Sequence, residues 1–190
     1  MKKGLFNRQY GLRSAVISGR KTVTRRICKN QTNPSIEEAK WKIGEVIAVA
    51  QSYEDMANEG GDILANMLQD ETTFKKEYCG AGWRNAMFTK AELMPHRIKI
   101  TNVRVERLQD ISEDDCLKEG IIQSYNECLR KNVFGFYDGN KKAKLTESWK
   151  TSIGFDTPSE AYAALIDKVS GKGTWESNPW VFVYDFELVK

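Results

Sequence analysis

A basic segment from Gly19 to Arg26 carries the side chains best suited to chemistry. It reads Gly-Arg-Lys-Thr-Val-Thr-Arg-Arg, so that cations and hydroxyls alternate closely along it. Cations at this spacing repel one another unless an anion or acidic side chains lie between them. The segment therefore predicts one of two things: a site for a phosphate or another polar anionic ligand, or a solvated basic edge strand whose charges discourage pairing.

The chain around this segment predicts a helix that ends where an extended strand begins. Residues 7–18 are expected to form the helix, with Asn7 as the N-cap, and Gly19 suits the left-handed position after its end. The following residues alternate in type, as an extended segment does. A regular strand would have two faces, made by Thr22, Thr24 and Arg26 on one side and Lys21, Val23 and Arg25 on the other.

A second candidate residue, Glu119, lies at the end of a short predicted helix. Ser112 is the expected N-cap of that helix, Asp115 lies at its N3 position, and Gly120 ends it. A carboxylate in the last turn faces the negative end of the helix dipole, which disfavours an anion. Glu119 is therefore expected either to have a cationic partner or a function, or to be an ordinary exposed glutamate.

Other periodic segments predict the elements that position these residues. Residues 46–50 are apolar on both faces, which indicates a central strand. Residues 97–108 alternate with one phase change, which implies a bulge or a tight bend. Residues 157–170 predict a well-capped helix, residues 135–140 are rich in turn formers, and residues 180–189 predict a strand whose aromatic face suits the lining of a small barrel.

Two stretches look like insertions, at about residues 58–90 and 122–178. In the first, helices are expected to start at Asp62 and to cover residues 72–78. Its Gly80-Ala81-Gly82-Trp83 run is either a flexible lid over a ligand or a contact that pins the loop. In the second, the basic run at residues 141–144 is either a solvated face or a phosphate contact.

Composition limits the classes of protein that the sequence fits. The chain has 190 residues and a formal net charge of +3, with 29 Lys and Arg against 26 Asp and Glu, which is one domain of ordinary size. It has four cysteines without a CxxC pair and one histidine, so no structural zinc site and no cofactor are expected. The lack of a signal peptide or a long apolar run predicts a cytoplasmic protein with no membrane partner, and the oligomeric state is left open.

With these residues in view, the chain resembles the ASCH domain family of the PUA-like superfamily, in its longer, phage-associated type. Three stretches in the family's order carry the resemblance. The first is Gly19 to Arg26, which is close to a Gly-x-Lys-x-x-Thr-x-Arg signature. The second runs from Ile98 to Gly120, and the third from Asn178 to Val183.

The resemblance implies a single α+β domain over residues 1–190: a small, mostly antiparallel PUA-like β-barrel with surrounding helices. It implies a cleft in which the basic segment faces the Glu119 helix and binds RNA or a modified nucleotide, with a base near Glu119. A phosphate would be held by Lys21, Arg25 and Arg26. The further candidate ligand-binding residues complete the set Arg20, Thr22, Arg25 and Arg26.

The resemblance also implies an alternative, an amidohydrolase that removes acetyl from the exocyclic amine of acetylated cytidine. Its catalytic residues would be Lys21, Thr24 and Glu119. Thr24 would attack the amide carbonyl, Lys21 would act as the base, and Glu119 would pass a proton to the leaving amine. A third alternative is a protein-interaction domain without a nucleic-acid ligand, whose basic edge serves solubility.

Overall fold

A computed structural model describes residues 1–58, 80–139 and 151–189, without the side chains of residues 151–153. The fold is α+β, with a mixed five-stranded sheet and an antiparallel three-stranded sheet. The helices and strands in chain order are β1 (Lys3–Gly4), α1 (Leu12–Ile17), β2 (Val23–Ile27), β3 (Val46–Val49), α2 (Tyr53–Asn58), β4 (Arg97–Arg107), α3 (Glu113–Lys118), β5 (Ile122–Asn126), β6 (Lys131–Tyr137), β7 (Thr151–Phe155), α4 (Pro158–Ser170), α5 (Thr174–Ser177) and β8 (Trp180–Val189).

The chain divides into two compact units, of which the first comprises Met1–Phe6, Val46–Ile98 and Val189–Lys190. Its strands are β1, β3 and the start of β4, with β1 parallel to β3. Strand β3 is buried along most of its length, as its apolar sequence predicts.

Two contacts fix the loop that leads towards β4 in this first unit. The Lys3 ammonium donates to the backbone carbonyls of Ala86, Met87 and Thr89. The Trp83 ring packs against a small buried cluster of Tyr53 and Met56. Of the two interpretations of the glycine-flanked tryptophan, the pinned loop is therefore the one that the contacts support.

The second unit, Asn7–Glu45 and Lys99–Leu188, contains every residue of the candidate site. Its part of the larger sheet has the order β4-β8-β2, and β2 runs antiparallel to β8 with Thr24 opposite Tyr184. Four consecutive residues of β8 are buried, because both faces of this central strand are covered. The sequence predicted the strand and its aromatic face, but the second covered face, with Val181 and Val183, also belongs to the core.

Strands β5, β6 and β7 form the three-stranded sheet in the order β5-β6-β7. The prediction of turns at residues 135–140 is wrong over its first half, since β6 continues to Tyr137. The prediction took Gly135 as a turn residue, but Gly135 lies inside the strand, at a register shift opposite β7. A glycine within a strand often marks such an irregularity rather than the end of the strand.

A large hydrophobic cluster in the second unit packs around helix α4. Helix α4 contacts α3, α5 and β6, and its apolar face is buried as its periodicity predicts. Thr157 accepts a hydrogen bond from the Glu160 backbone N–H, which confirms the predicted N-cap. The buried residues of this cluster are Tyr10, Val23, Leu108, Ile111, Cys116, Ile121, Phe136, Ala161, Tyr162, Leu165, Ile166, Val181 and Val183.

Three features of the fold bear on the sequence predictions. No closed barrel is detected among the described strands, so the PUA-like barrel stays a prediction. The helices expected at Asp62 and over residues 72–78, and the basic run at 141–144, lie outside the described residues. Within the described residues, no helix is both long enough and apolar enough to cross a membrane.

Candidate functional site

The turn between α1 and β2 places Lys21 inside the second unit. Gly19 is left-handed, with a φ of 75°, as predicted for the residue after a helix. The Lys21 N–H then donates back to the Ala15 carbonyl at 2.8 Å, and the Thr22 N–H donates to the Lys118 carbonyl at 3.0 Å. Strand β2 begins only at Val23, so the alternation of a regular strand does not determine the direction of the Lys21 side chain.

Lys21 and Glu119 form a buried ion pair. The Lys21 ammonium donates to the Glu119 carboxylate, and also to the Glu119 backbone carbonyl at 2.8 Å. The side chains are 1% and 6% exposed. Burial lowers the pKa of Lys21, and the Glu119 carboxylate opposes that effect without cancelling it. The unfavourable position of Glu119 at the helix end therefore has a cationic partner, one of the explanations that the sequence left open.

Arg25 is buried beside this pair and is surrounded by carboxylates. Its guanidinium donates to Glu106 at 2.6 and 3.0 Å, to Asp115 at 2.9 Å and to Glu119 at 3.4 Å. Burial opposes its charge, but the neighbouring carboxylates outweigh burial and raise the pKa of Arg25. These carboxylates are the acidic groups that the repulsion within the basic segment requires.

Arg104 extends these contacts towards the surface. It donates to Glu106 at 3.2 Å, to Asp185 at 2.6 Å, and to the Asp115 carboxylate that Arg25 also contacts. The residues linked in this way are called the ion-pair network below; they are Lys21, Arg25, Arg104, Glu106, Asp115, Glu119 and Asp185. The Lys21 ammonium and the Arg25 guanidinium are therefore already hydrogen-bonded to carboxylates of the chain itself.

The ion-pair network as defined here does not include the predicted residues Thr22, Thr24 and Arg26. Thr24 is buried on the strand face opposite Arg25, and no hydrogen bond joins its hydroxyl to Lys21 or Glu119, both of which the structure describes. Thr22 is partly buried and its backbone pairs with Phe186. Arg26 lies over the Trp41 ring at 5.4 Å, and burial lowers its pKa.

Arg20 lines an open cleft of about 500 Å³ on the second unit, called the arginine cleft below. Its guanidinium donates to the Gly120 carbonyl at 2.7 Å, which fixes it beside the residue that follows Glu119. The lining residues are Arg8, Gly11, Arg13, Ser14, Arg20, Ile122 and Tyr137. Among the described lining residues, three carry a guanidinium and none carries a carboxylate.

The structure therefore brings together some of the predicted residues and separates others. Lys21, Arg25 and Glu119 meet in the ion-pair network, Arg20 faces the arginine cleft, and Arg26 faces an aromatic ring. The sequence interpretation did not include Arg8, Arg13 or Tyr137 among candidate residues, nor Glu106 and Asp115, which contact Arg25 together with Glu119. The alternation that puts Arg104 and Glu106 on one strand face is the only signal that could have found part of the network.

Two further observations complete the description of the site. Within the described ranges, no cluster of three or more His, Cys, Asp or Glu side chains is placed to hold a metal ion. Comparisons with protein-family models, curated proteins and solved structures found no match. The resemblance to the ASCH family accordingly remains an interpretation of the three sequence stretches.

Proposed function

We propose that this protein is an ASCH-type module that binds RNA or a modified nucleotide, with a phosphate of the ligand held in the arginine cleft. One observation carries the proposal: three guanidiniums, from Arg8, Arg13 and Arg20, line a cleft of about 500 Å³. A cleft lined by charge of one sign attracts a ligand of the opposite sign, even on a protein of small net charge.

The chemistry of the lining suits a nucleotide better than a bare anion. Guanidiniums bind phosphate oxygens in pairs of parallel hydrogen bonds. Tyr137, partly buried in the same lining, offers an aromatic ring on which an unpaired base can stack. Phosphate and base contacts would then be available within one cleft, which is what recognition of single-stranded RNA or of a nucleotide requires.

The arginine cleft adjoins the buried pair that the family resemblance points to. Arg20 precedes Lys21 in the chain, and its guanidinium contacts Gly120, which follows Glu119. In this proposal Arg20 has the phosphate role first considered for Lys21 and Arg25, because the latter two are neutralised by carboxylates. The base would lie towards Glu119.

The finer fold proposal rests on the same unit. The three stretches that resemble the family fall on β2, on β4 with α3, and on β8 with the residue pair before it, and these strands are neighbours in the order β4-β8-β2. We infer that they belong to a PUA-like barrel. The adjacency of three sequence-distant stretches supports this inference, since a chance resemblance has no reason to bring them together.

Binding of a labelled single-stranded RNA, followed by fluorescence anisotropy, tests the proposed function. The variant Arg8→Ala/Arg20→Ala should lose more than about tenfold in affinity, because each charge-assisted contact contributes roughly 1.5–3 kcal/mol. Arg84→Ala is the matched control, since the Arg84 side chain is 83% exposed and lies outside the second unit. Equal affinities for the wild type and both variants would exclude the arginine cleft as the binding site.

A second candidate function is the amidohydrolase, and the Lys21–Glu119 pair is the observation that favours it. A lysine whose pKa is lowered by burial is better suited to act as a base than an exposed lysine. Thr24 would attack the acetyl carbonyl, and Lys21 would take the hydroxyl proton. Glu119 would pass a proton to the leaving amine, and Arg26 would stabilise the oxyanion. Water would then hydrolyse the acetyl ester on Thr24, which releases acetate and restores the hydroxyl. The Lys21 ammonium donates to Glu119, and no hydrogen bond joins these two described residues to the Thr24 hydroxyl. This reaction therefore needs a neutral Lys21 that turns from Glu119 towards the hydroxyl.

Release of acetate from acetylated cytidine tests this second candidate. Wild-type protein should produce cytidine and acetate in equal amounts, while Lys21→Ala and Thr24→Val should produce neither. Arg84→Ala should turn over like the wild type. If wild-type protein that binds RNA releases no acetate, the binding function stands alone.

A further inference from the structure

We propose that a second groove on the second unit, separate in its residues from the arginine cleft, binds an unpaired nucleobase. It is called the Arg107 groove below and has a volume of about 450 Å³, within the usual range for small-molecule sites. Its lining residues are Ile27, Gln31, Arg107, Thr174, Ser177 and Pro179. None of them is a candidate residue of the site described above.

The orientation of Arg107 carries the proposal. Its guanidinium lies over the Trp180 indole at 4.4 Å, and it donates to the Asn178 carbonyl at 3.2 Å. One face of the planar group is therefore covered by the indole. Because Arg107 also lines the groove, the proposal places the ligand against its other face. A guanidinium plane held in this way is a stacking surface for a nucleobase.

The rim of the groove supplies hydrogen-bond acceptors. The Thr174 hydroxyl donates to the Gly171 carbonyl at 2.7 Å, and the Ser177 hydroxyl donates to the Thr174 carbonyl at 2.8 Å. Since each hydroxyl has only one hydrogen to donate, both oxygens can only accept from a ligand. Arg107 supplies donors, so the groove matches the mixed donor and acceptor edge of a base.

The groove is held in place by short backbone contacts. Asn178 has a left-handed backbone, with a φ of 42°, and its side chain accepts from the Gln109 N–H at 2.8 Å. The Gln31 side chain accepts from the backbone N–H of Trp180 at 2.8 Å and donates to the backbone carbonyl of Trp180 at 3.1 Å. Because these residues are already ordered, little binding free energy is lost to ordering them when a ligand binds.

A base fits this lining better than a phosphate does. The described lining of the groove has one guanidinium, and the Trp180 indole covers one of its faces. The arginine cleft has three guanidiniums. Ile27 is 45% exposed and Pro179 lies beside it in the lining, so part of the ligand surface would be apolar. The base can come from a free nucleoside or from an unpaired position in RNA, because the recognised face and edge are the same.

Nuclear magnetic resonance of the full chain, with adenosine as the probe, tests the proposal. Adenosine has no phosphate, so the result does not depend on the arginine cleft or on the proposed function. The indole N–H signal of Trp180, assigned with Trp180→Phe, should shift progressively as adenosine is added in the millimolar range. Arg20→Ala should give the same shift as the wild type, since Arg20 is not in the groove.

Two variants separate stacking from charge. Arg107→Ala removes the plane and the charge, whereas Arg107→Lys keeps the charge and removes the plane. Both should weaken adenosine binding by roughly tenfold, because stacking on one base contributes about 1–3 kcal/mol. An Arg107→Lys variant that binds adenosine like the wild type would overturn the proposal, and so would the absence of any shift of the Trp180 signal.

A second titration, with a short single-stranded oligoadenylate, distinguishes the two sources of the base. If the base belongs to RNA, the Trp180 signal should respond at much lower concentration than with adenosine, and Arg20→Ala should weaken that response. If the source is a free nucleoside, both probes should act in the same range per base. A response to neither probe would contradict a nucleobase site altogether.

Discussion

At Lys21, a fully buried ammonium is held by two oxygens of Glu119, one from its carboxylate and one from its backbone. Taking both charges out of water is expensive, and only their mutual contact offsets that penalty. The pair is therefore sensitive to the loss of either partner. It is also sensitive to pH, because burial lowers the pKa of Lys21 while Glu119 opposes the shift.

Glu119→Gln should destabilise the protein by about 3–5 kcal/mol at neutral pH, since it leaves Lys21 charged and buried. Without the carboxylate, the pKa of Lys21 falls further below its unfolded value. Between those two values the unfolded chain binds more protons, so stability rises with pH. The deficit of the variant should therefore narrow as the pH rises towards the ordinary lysine range.

Urea unfolding at a series of pH values measures this deficit. Glu127→Gln is the control, because Glu127 is exposed and should show little change at any pH. A Glu119→Gln deficit that is constant across the series would contradict the account of Lys21.

Cysteine reactivity provides a second test at single residues. Burial raises the pKa of Cys116 to about 11 and that of Cys28 to about 11, whereas Cys128 is exposed. The thiolate is the reactive form of cysteine. In a Cys79→Ser variant, which removes the cysteine outside the described residues, Cys128 should therefore be the one fast-reacting thiol. The other two should react with a thiol reagent only after urea is added, and fast labelling of Cys116 in the folded protein would show that the α3 region is less buried than described.

Among the helices and strands, α1 shows how a local signal can place a helix and still miss its boundary. The predicted start at Asn7 is wrong, since the helix covers only Leu12–Ile17 and Gly11 precedes it in a left-handed conformation. Asn7 instead accepts from the Tyr10 N–H in the turn before the helix. The turn is a tertiary requirement, because it lets Gly11 pass close to Tyr137.

Gly11→Ala should be more destabilising than Gly19→Ala. Both glycines are left-handed, with φ of 66° and 75°, so both substitutions incur the same kind of backbone strain, about 1–2 kcal/mol. A Cβ atom at position 11 would lie 2.9 Å from the Tyr137 Cβ, whereas one at position 19 would meet nothing within 4 Å.

The clash should therefore add about 1–3 kcal/mol at position 11 alone. Chemical denaturation of the two variants measures the difference. Equal losses would mean that Tyr137 yields freely, and the wall of the arginine cleft would then be less rigid than its packing indicates.

The sequence predicted elements with strong local signals and missed those that depend on distant partners. The capping residues Ser112 and Thr157 placed α3 and α4 correctly, because each cap is a contact within three residues. The three-stranded sheet was missed, since its pairing joins strands whose own patterns are weak. The site was predicted in the same partial way: the helix dipole marked Glu119, but nothing local indicates that Arg25 contacts Glu106 and Asp115.

For the whole molecule, the distribution of charge matters more than its sum. The net charge is only +3, and Lys21 and Arg25 are buried in the ion-pair network, where carboxylates contact them. Three other guanidiniums line the arginine cleft, and they are the charges that a phosphate bound there would meet. The proposed function therefore depends on a few arginines rather than on a generally basic surface.

The salt dependence of RNA affinity tests this claim most directly. Binding of a labelled single-stranded RNA is measured at several salt concentrations for the wild type, Arg20→Ala and Arg84→Ala. We expect affinity to fall steeply with salt for the wild type, a slope smaller by about 1 in Arg20→Ala because one phosphate contact is lost, and an unchanged slope in Arg84→Ala. A wild-type affinity that does not vary with salt, or an Arg20→Ala slope equal to that of the wild type, would contradict phosphate binding in the arginine cleft.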